Sequence, residues 1–102
     1  MQTNKFNELE LQLSHIVDVV CLTMNITQMD FLSARRGAPL PDARCIASLL
    51  AKEYTPASYS HMGRRFNRDH STVMQQLKRA EQNKDKLFQQ RLKMAREWLE
   101  NV

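Results

Sequence analysis

Glycine and proline are scarce in this chain, with two glycines and three prolines among 102 residues. β-Hairpins and tight-turn architectures draw heavily on both, so their scarcity favours helices. No apolar run is long enough to span a bilayer. The opening residues, Met1-Gln2-Thr3-Asn4-Lys5, lack the charged-then-apolar pattern of a secretory signal. There are only two cysteines, Cys21 and Cys45, and neither CxxC nor HxxxH spacing occurs. His15, His61 and His70 with the two cysteines therefore make no metal-site pattern, and no metal or other cofactor is expected. Both cysteines fall on apolar helical faces. Buried reduced thiols are the better reading, with a disulfide a poorer one, and this suits a cytoplasmic protein.

What remains is ordinary globular material. Hydrophobic residues make up 42% and charged residues 25%, far from a disordered composition. Residues 1–102 are expected to form one domain with a modest core. The charge is uneven. Residues 1–34 hold Lys5 against Glu8, Glu10, Asp18 and Asp30, a net −3; residues 35–102 hold 14 bases against 7 acids, a net +7. A basic C-terminal two-thirds suits a polyanion partner. Charge alone is equally compatible with bases that merely solvate helix faces.

Residues 4–24 read as a first helix. Phe6, Leu9, Leu13, Ile16, Val17, Val20 and Met24 recur at spacings of three and four, the stripe of an amphipathic helix. A short second element opens at Ile26-Thr27, with Met29, Phe31 and Leu32 expected to pack inward. Residues 33–41 then break the pattern with two prolines, a glycine and the adjacent Arg35-Arg36, which predicts an exposed basic loop. Asp42 is the expected N-cap of a helix running to Tyr54, and Thr55-Pro56 stops it. Ser58 or Ser60 is the expected cap of a short helix ending near Gly63 or Phe66. Asp69 is the expected cap of a helix over about 70–82. A last helix, about 85–100, carries Leu87, Phe88, Leu92, Ala95, Trp98 and Leu99 on its apolar side. Met24, Met29, Met62, Met74 and Met94 read as core fillers, and Phe88 and Trp98 as core aromatics.

Two short helices joined by a tight turn, about 58–66 and 69–82, describe a helix-turn-helix. The second opens on Arg68-Asp69-His70-Ser71-Thr72-Val73, rich in side chains that donate and accept hydrogen bonds. Such a helix end can face base edges in the major groove while basic side chains reach phosphates. His70 can donate to a purine acceptor, the Thr72 methyl can pack on a thymine methyl, and Asp69 can accept from a cytosine amino group. Each good base contact is worth roughly 1–3 kcal/mol of discrimination. The bland alternatives are a surface histidine, a plain helix cap at Asp69, a solvated turn at Arg35-Arg36, and solvating roles for Arg64, Arg65 and Arg68.

Ala43-Arg44-x-Ile46-Ala47-x-x-Leu50-Ala51-Lys52-Glu53-x-Thr55, then Gly63-x-x-Phe66, then Arg68 to Val73, resembles the C-terminal DNA-binding domain of the bacterial replication initiator DnaA. The similarity runs from about Ile16 to Gln82 and includes Leu32-Ser33-x-Arg35-Arg36. The resemblance implies an all-α fold: a compact helical domain with a helix-turn-helix preceded by a basic loop. It implies double-stranded DNA as partner, read in the major groove by the recognition helix and in the minor groove by a loop arginine. Arg36 matches that arginine, and a narrow minor groove favours an inserted Arg. Asp69, His70, Ser71 and Thr72 match the base-reading end. Arg35, Arg44, Lys52, Arg68, Gln75 and Lys78 lie where DNA backbone contacts are expected.

The chain also departs from the family pattern. No GxxxxGK[ST] phosphate loop is present, so no nucleotide is expected and ATP-driven origin melting is unavailable to these residues. The loop before Arg68 is one residue shorter than usual. Ala38 and Asp42 stand where bases are common, and Tyr59-Ser60 replaces a Leu-Pro pair. With Met1 and a full first helix, a free-standing domain is expected, acting in the nucleoid at DnaA-box-like sites in replication control or transcription regulation. No enzyme is expected: Ser71 beside His70 is not a triad. The rival expectation is a protein-interaction adaptor, or a homodimer, using the apolar faces of 4–24 and 85–100.

Overall fold

The computed structural model describes residues 5–101, with side chains from Glu8 to Asn101. The expected helix start at residue 4 and the packing of Phe6 lie outside those residues and side chains. Six helices follow one another: α1 (Lys5–Met24), α2 (Gln28–Leu32), α3 (Leu40–Tyr54), α4 (Tyr59–Phe66), α5 (His70–Gln82) and α6 (Lys86–Glu100). Among the described residues there is no strand, and no helix is long and apolar enough to cross a membrane. The expected all-α class holds.

α3 is the axis of the fold. Small residues Ala43, Ala47, Ser48 and Ala51 are fully buried on it, so α1 and α5 pack closely against its sides. Ile46 and Leu50 complete its buried surface. α1 brings Leu13, Ile16, Val17 and Val20 to the same core. α6 closes the far side, burying Phe88, Leu92 and Ala95 against α1 and α3. Phe31 of α2 meets Phe66 of α4 edge-on, ring centres 5.8 Å apart, a favoured aromatic geometry.

Local chemistry sets most boundaries. α1 ends at Asn25, which takes the left-handed conformation at φ 55°, and Ile26 N–H reaches back to Cys21 O at 3.0 Å, closing a Schellman-type turn. Ser58, Asp69 and Asp85 cap α4, α5 and α6, each accepting a backbone N–H of the first turn. α3 departs from expectation. It begins at Leu40, with Pro39 at the N-cap and no side-chain cap bond. Pro41 explains this, because its fixed φ suits a first helical turn. Asp42 is instead inside that turn, where its charge favours the helix dipole, and lies 3.9 Å from Arg91.

On α1, Leu13, Ile16, Val17, Val20 and Met24 are buried as their spacing predicts, whereas several other apolar expectations fail. Met29 is 82% exposed and Trp98 56% exposed. Met74 and Met94 are also exposed, leaving Met24 and Met62 as the buried methionines among those five. Periodicity marks an apolar face but not whether a neighbour covers it. Cys21 and Cys45 are buried free thiols.

Candidate nucleic-acid interface

The helix-turn-helix is α4, a three-residue turn, and α5. Asn67 ends α4 in the left-handed region at φ 57°, and Arg68 N–H donates to Gly63 O at 2.7 Å. The turn folds so tightly over Gly63 that a Cβ there would sit 2.4 Å from Arg68 O. Glycine is therefore required by close approach rather than by its own φ. α4 is held from behind by α1: His61 Nε2 lies 2.5 Å from Glu10 Oε1, and Arg65 donates to Ser14 Oγ at 2.8 and 3.1 Å. Arg65 is thus committed within the fold, whereas Arg64 is exposed.

Asp69 turns its carboxylate onto the first turn of α5. It accepts from the Ser71 N–H at 3.3 Å and from the Ser71 hydroxyl. The hydroxyl first, then the N–H, hold the Asp69 carboxyl below the ordinary aspartate value. His70 projects beside it with its side chain 59% exposed, Nδ1 lying 3.6 Å from Asp69 Oδ1. Thr72 is half-buried one step further round the helix. Gln75 and Lys78 extend the exposed side of α5.

The loop from Ser33 to Pro39 stands next to this helix. Between them runs a concave cleft of about 600 Å³, lined by Arg36, Arg44 and Arg68 together with Thr72, Gln75, Gln76 and Arg79. No acidic side chain lines it. Arg36 and Thr72 therefore share one basic concavity, although 36 positions separate them in sequence. Arg35 is exposed and pairs with Asp30 at 3.1 Å.

Arg44 lines the cleft, but its side chain is bonded inward. It is 6% exposed, and its guanidinium donates to the carbonyls of Asp30, Phe31, Ser33 and Arg35 at 2.6–3.0 Å. Arg68 likewise turns onto Leu32 and Ser33 carbonyls. Burial lowers the pKa of both arginines, and for Arg44 the nearby Arg68 charge adds to the effect. Lys52 lies at the opposite end of α5 from His70, paired with Glu81 at 3.2 Å.

The family model for the bacterial DnaA protein helix-turn-helix matches residues 13–80. This chain belongs to the bacterial DnaA helix-turn-helix family. Among similar proteins are the chromosomal replication initiator proteins DnaA of Sphingopyxis alaskensis, 39% identical, of Rhodopseudomonas palustris, 38% identical, and of Brucella abortus, 36% identical. Each alignment covers 70% of this chain but only 14–16% of the relative. No solved structure matches.

The DnaA-type match thus runs from within α1 to near the end of α5, and α6 lies beyond it. Arg79 is a cleft residue that the motif did not single out. The signal was there, since Thr72 and Arg79 are seven residues apart and so share one helical face. Part of the apolar faces expected to dock a partner is covered within the fold, because α1 and α6 pack on each other. Leu11, Leu22, Leu87, Met94 and Trp98 remain exposed. Among the described residues, no group of three or more metal-ligating side chains comes together.

Proposed function

We propose that this protein binds double-stranded DNA in a sequence-specific manner at DnaA-box-like sites, without catalysis or nucleotide. α5 enters the major groove, with His70 and Thr72 meeting base edges and Asp69 and Ser71 set beside them. Arg36 enters the adjacent minor groove. Arg35, Gln75 and Lys78 contact the DNA backbone. Occupying such sites serves replication control or transcription regulation. One observation carries this reading: the exposed end of α5 and the Arg36 loop flank a single arginine-lined cleft free of acidic side chains.

Fluorescence anisotropy with a labelled duplex carrying a DnaA box, beside a scrambled duplex, tests it at two salt concentrations. The box is expected to bind at least about 10³-fold more tightly. Equal affinity for both duplexes, falling together with salt, would reduce the protein to a non-specific DNA binder. No binding to either would remove DNA as the partner.

A further inference from the structure

α2 is a single short helix, Gln28–Leu32, and the last carbonyls of any helix lack partners within it. Here those carbonyls, and those of the loop that follows, are gathered by three side chains from elsewhere in the fold. Arg44, on α3, spends four donor contacts on Asp30, Phe31, Ser33 and Arg35. Arg68, immediately before the cap of α5, donates to Leu32 O and Ser33 O. Asn67, in the turn, donates from Nδ2 to Leu32 O at 2.9 Å. Two guanidinium groups therefore converge on the Ser33 carbonyl, three residues before Arg36. Like charges meet at that point, and fixed backbone carbonyls accept from both.

We infer that Arg44, Arg68 and Asn67 are positioning residues: they lock the Arg36 loop to the start of the recognition helix so that both grooves are read at one fixed spacing. This rests on the DNA-binding reading above. It assigns Arg44 and Arg68 to the protein's own backbone rather than to DNA phosphates. A guanidinium has five N–H donors and no acceptor, and Arg44 has already directed most of them inward. Its removal would free the loop without removing a phosphate ligand.

The test is a double-mutant cycle on the preferred duplex, using Arg36→Ala, Arg44→Lys and their combination. Arg44→Lys keeps the charge but cannot span four carbonyls. Asn67→Gly is the second background. Glycine tolerates the left-handed turn and deletes only the Leu32 tether, so folding is preserved. Arg36→Ala is expected to weaken binding by roughly tenfold in the parent protein. In either background that loss should shrink to less than about threefold, since an unfixed loop already fails to deliver Arg36. Discrimination at bases facing His70 should persist. Additive losses, or an Arg44→Lys variant that binds like the parent, would overturn the inference.

A second measurement needs no DNA and separates failure of this inference from failure of the DNA reading. Backbone ¹⁵N order parameters at Arg35 and Arg36 should fall from roughly 0.85 toward 0.6 in Arg44→Lys, with the melting transition of the whole domain retained. Unchanged order parameters would overturn the clamp even if DNA binds as proposed.

Discussion

The Ser48 hydroxyl donates to Gln76 Oε1 at 2.9 Å, and both side chains are buried between α3 and α5. This is a buried polar link between the two helices, whereas the other polar tie between them, Lys52 to Glu81, is exposed, and it fixes the rotation of the recognition helix on its support. Ser48→Ala leaves a buried amide oxygen without its partner, at a cost of about 1–3 kcal/mol. Urea unfolding should show a lower midpoint with an unchanged slope. Adding Gln76→Leu should recover most of the loss, because replacing both partners by apolar groups removes the orphan. A Ser48→Ala protein as stable as the parent would show that the link adds no net stability.

Gly63 lies under the turn, where an added Cβ would meet Arg68 O at 2.4 Å. The obstacle is backbone and cannot swing aside. Gly63→Ala should therefore cost about 1–3 kcal/mol, in the manner of an overpacked core site. That corresponds to a melting temperature lower by several degrees, readable by circular dichroism. DNA affinity should fall too, because the turn sets how α4 and α5 meet.

Asp69 carries a pH dependence whose sign follows from its depressed carboxyl pKa. The folded value lies below the unfolded one, so the cap's contribution is complete above the unfolded value. It is lost as pH falls through the folded value. The window therefore lies in acid, and the cap stays charged at neutral pH. An NMR titration of the Asp69 carboxyl should give a midpoint below the ordinary aspartate value, and Ser71→Ala should raise it. A midpoint insensitive to Ser71 would contradict the hydroxyl contact.

Lys78 and His70 should fail in different ways. Lys78→Ala should weaken every duplex alike and reduce the magnitude of the log–log salt slope by about 0.9, the signature of one lost phosphate contact. His70→Ala should leave that slope nearly unchanged and lose roughly 1–3 kcal/mol of discrimination at one base pair. Anisotropy across salt concentrations, with matched and single-mismatch duplexes, separates the two.

Burial pushes the Cys21 and Cys45 thiols up to about 11, with Asp18 and Asp42 respectively adding to the effect. The thiolate is the reactive form, so a disulfide-exchange reagent at pH 8 should find almost none in the native protein. Two thiols should react promptly once guanidinium unfolds the chain. Fast native reaction at either site would contradict its burial.

The helix-turn-helix was legible because its signals act over a few residues. Ser58 and Asp69 cap their helices by bonding to N–H groups three and two positions ahead, a contact that spacing can suggest. The stripe from Leu13 to Met24 follows from the period of the helix itself. Asp42 shows the limit of such reasoning. As an acidic residue after two prolines it resembled a cap, but the proline geometry started α3 earlier.

The sequence by itself therefore determined the order of the helices, most of their ends, and the run from Arg68 to Val73 at the head of α5, since these rest on bonds within one or two turns of chain. Tertiary structure decided which charges and apolar groups reach solvent. Arg44 lies where the resemblance implies a DNA backbone contact, yet it is buried because α2 and its loop fold over it and offer carbonyls from 9 to 14 positions away. Trp98 looked like core but stays exposed, because α6 presents Phe88, Leu92 and Ala95 to its neighbours instead. Arg79 joins Arg36 at one cleft only once α3 has set the loop beside α5. A side chain's pattern marks which residues share a face; packing between distant segments decides whether that face meets protein, water or DNA.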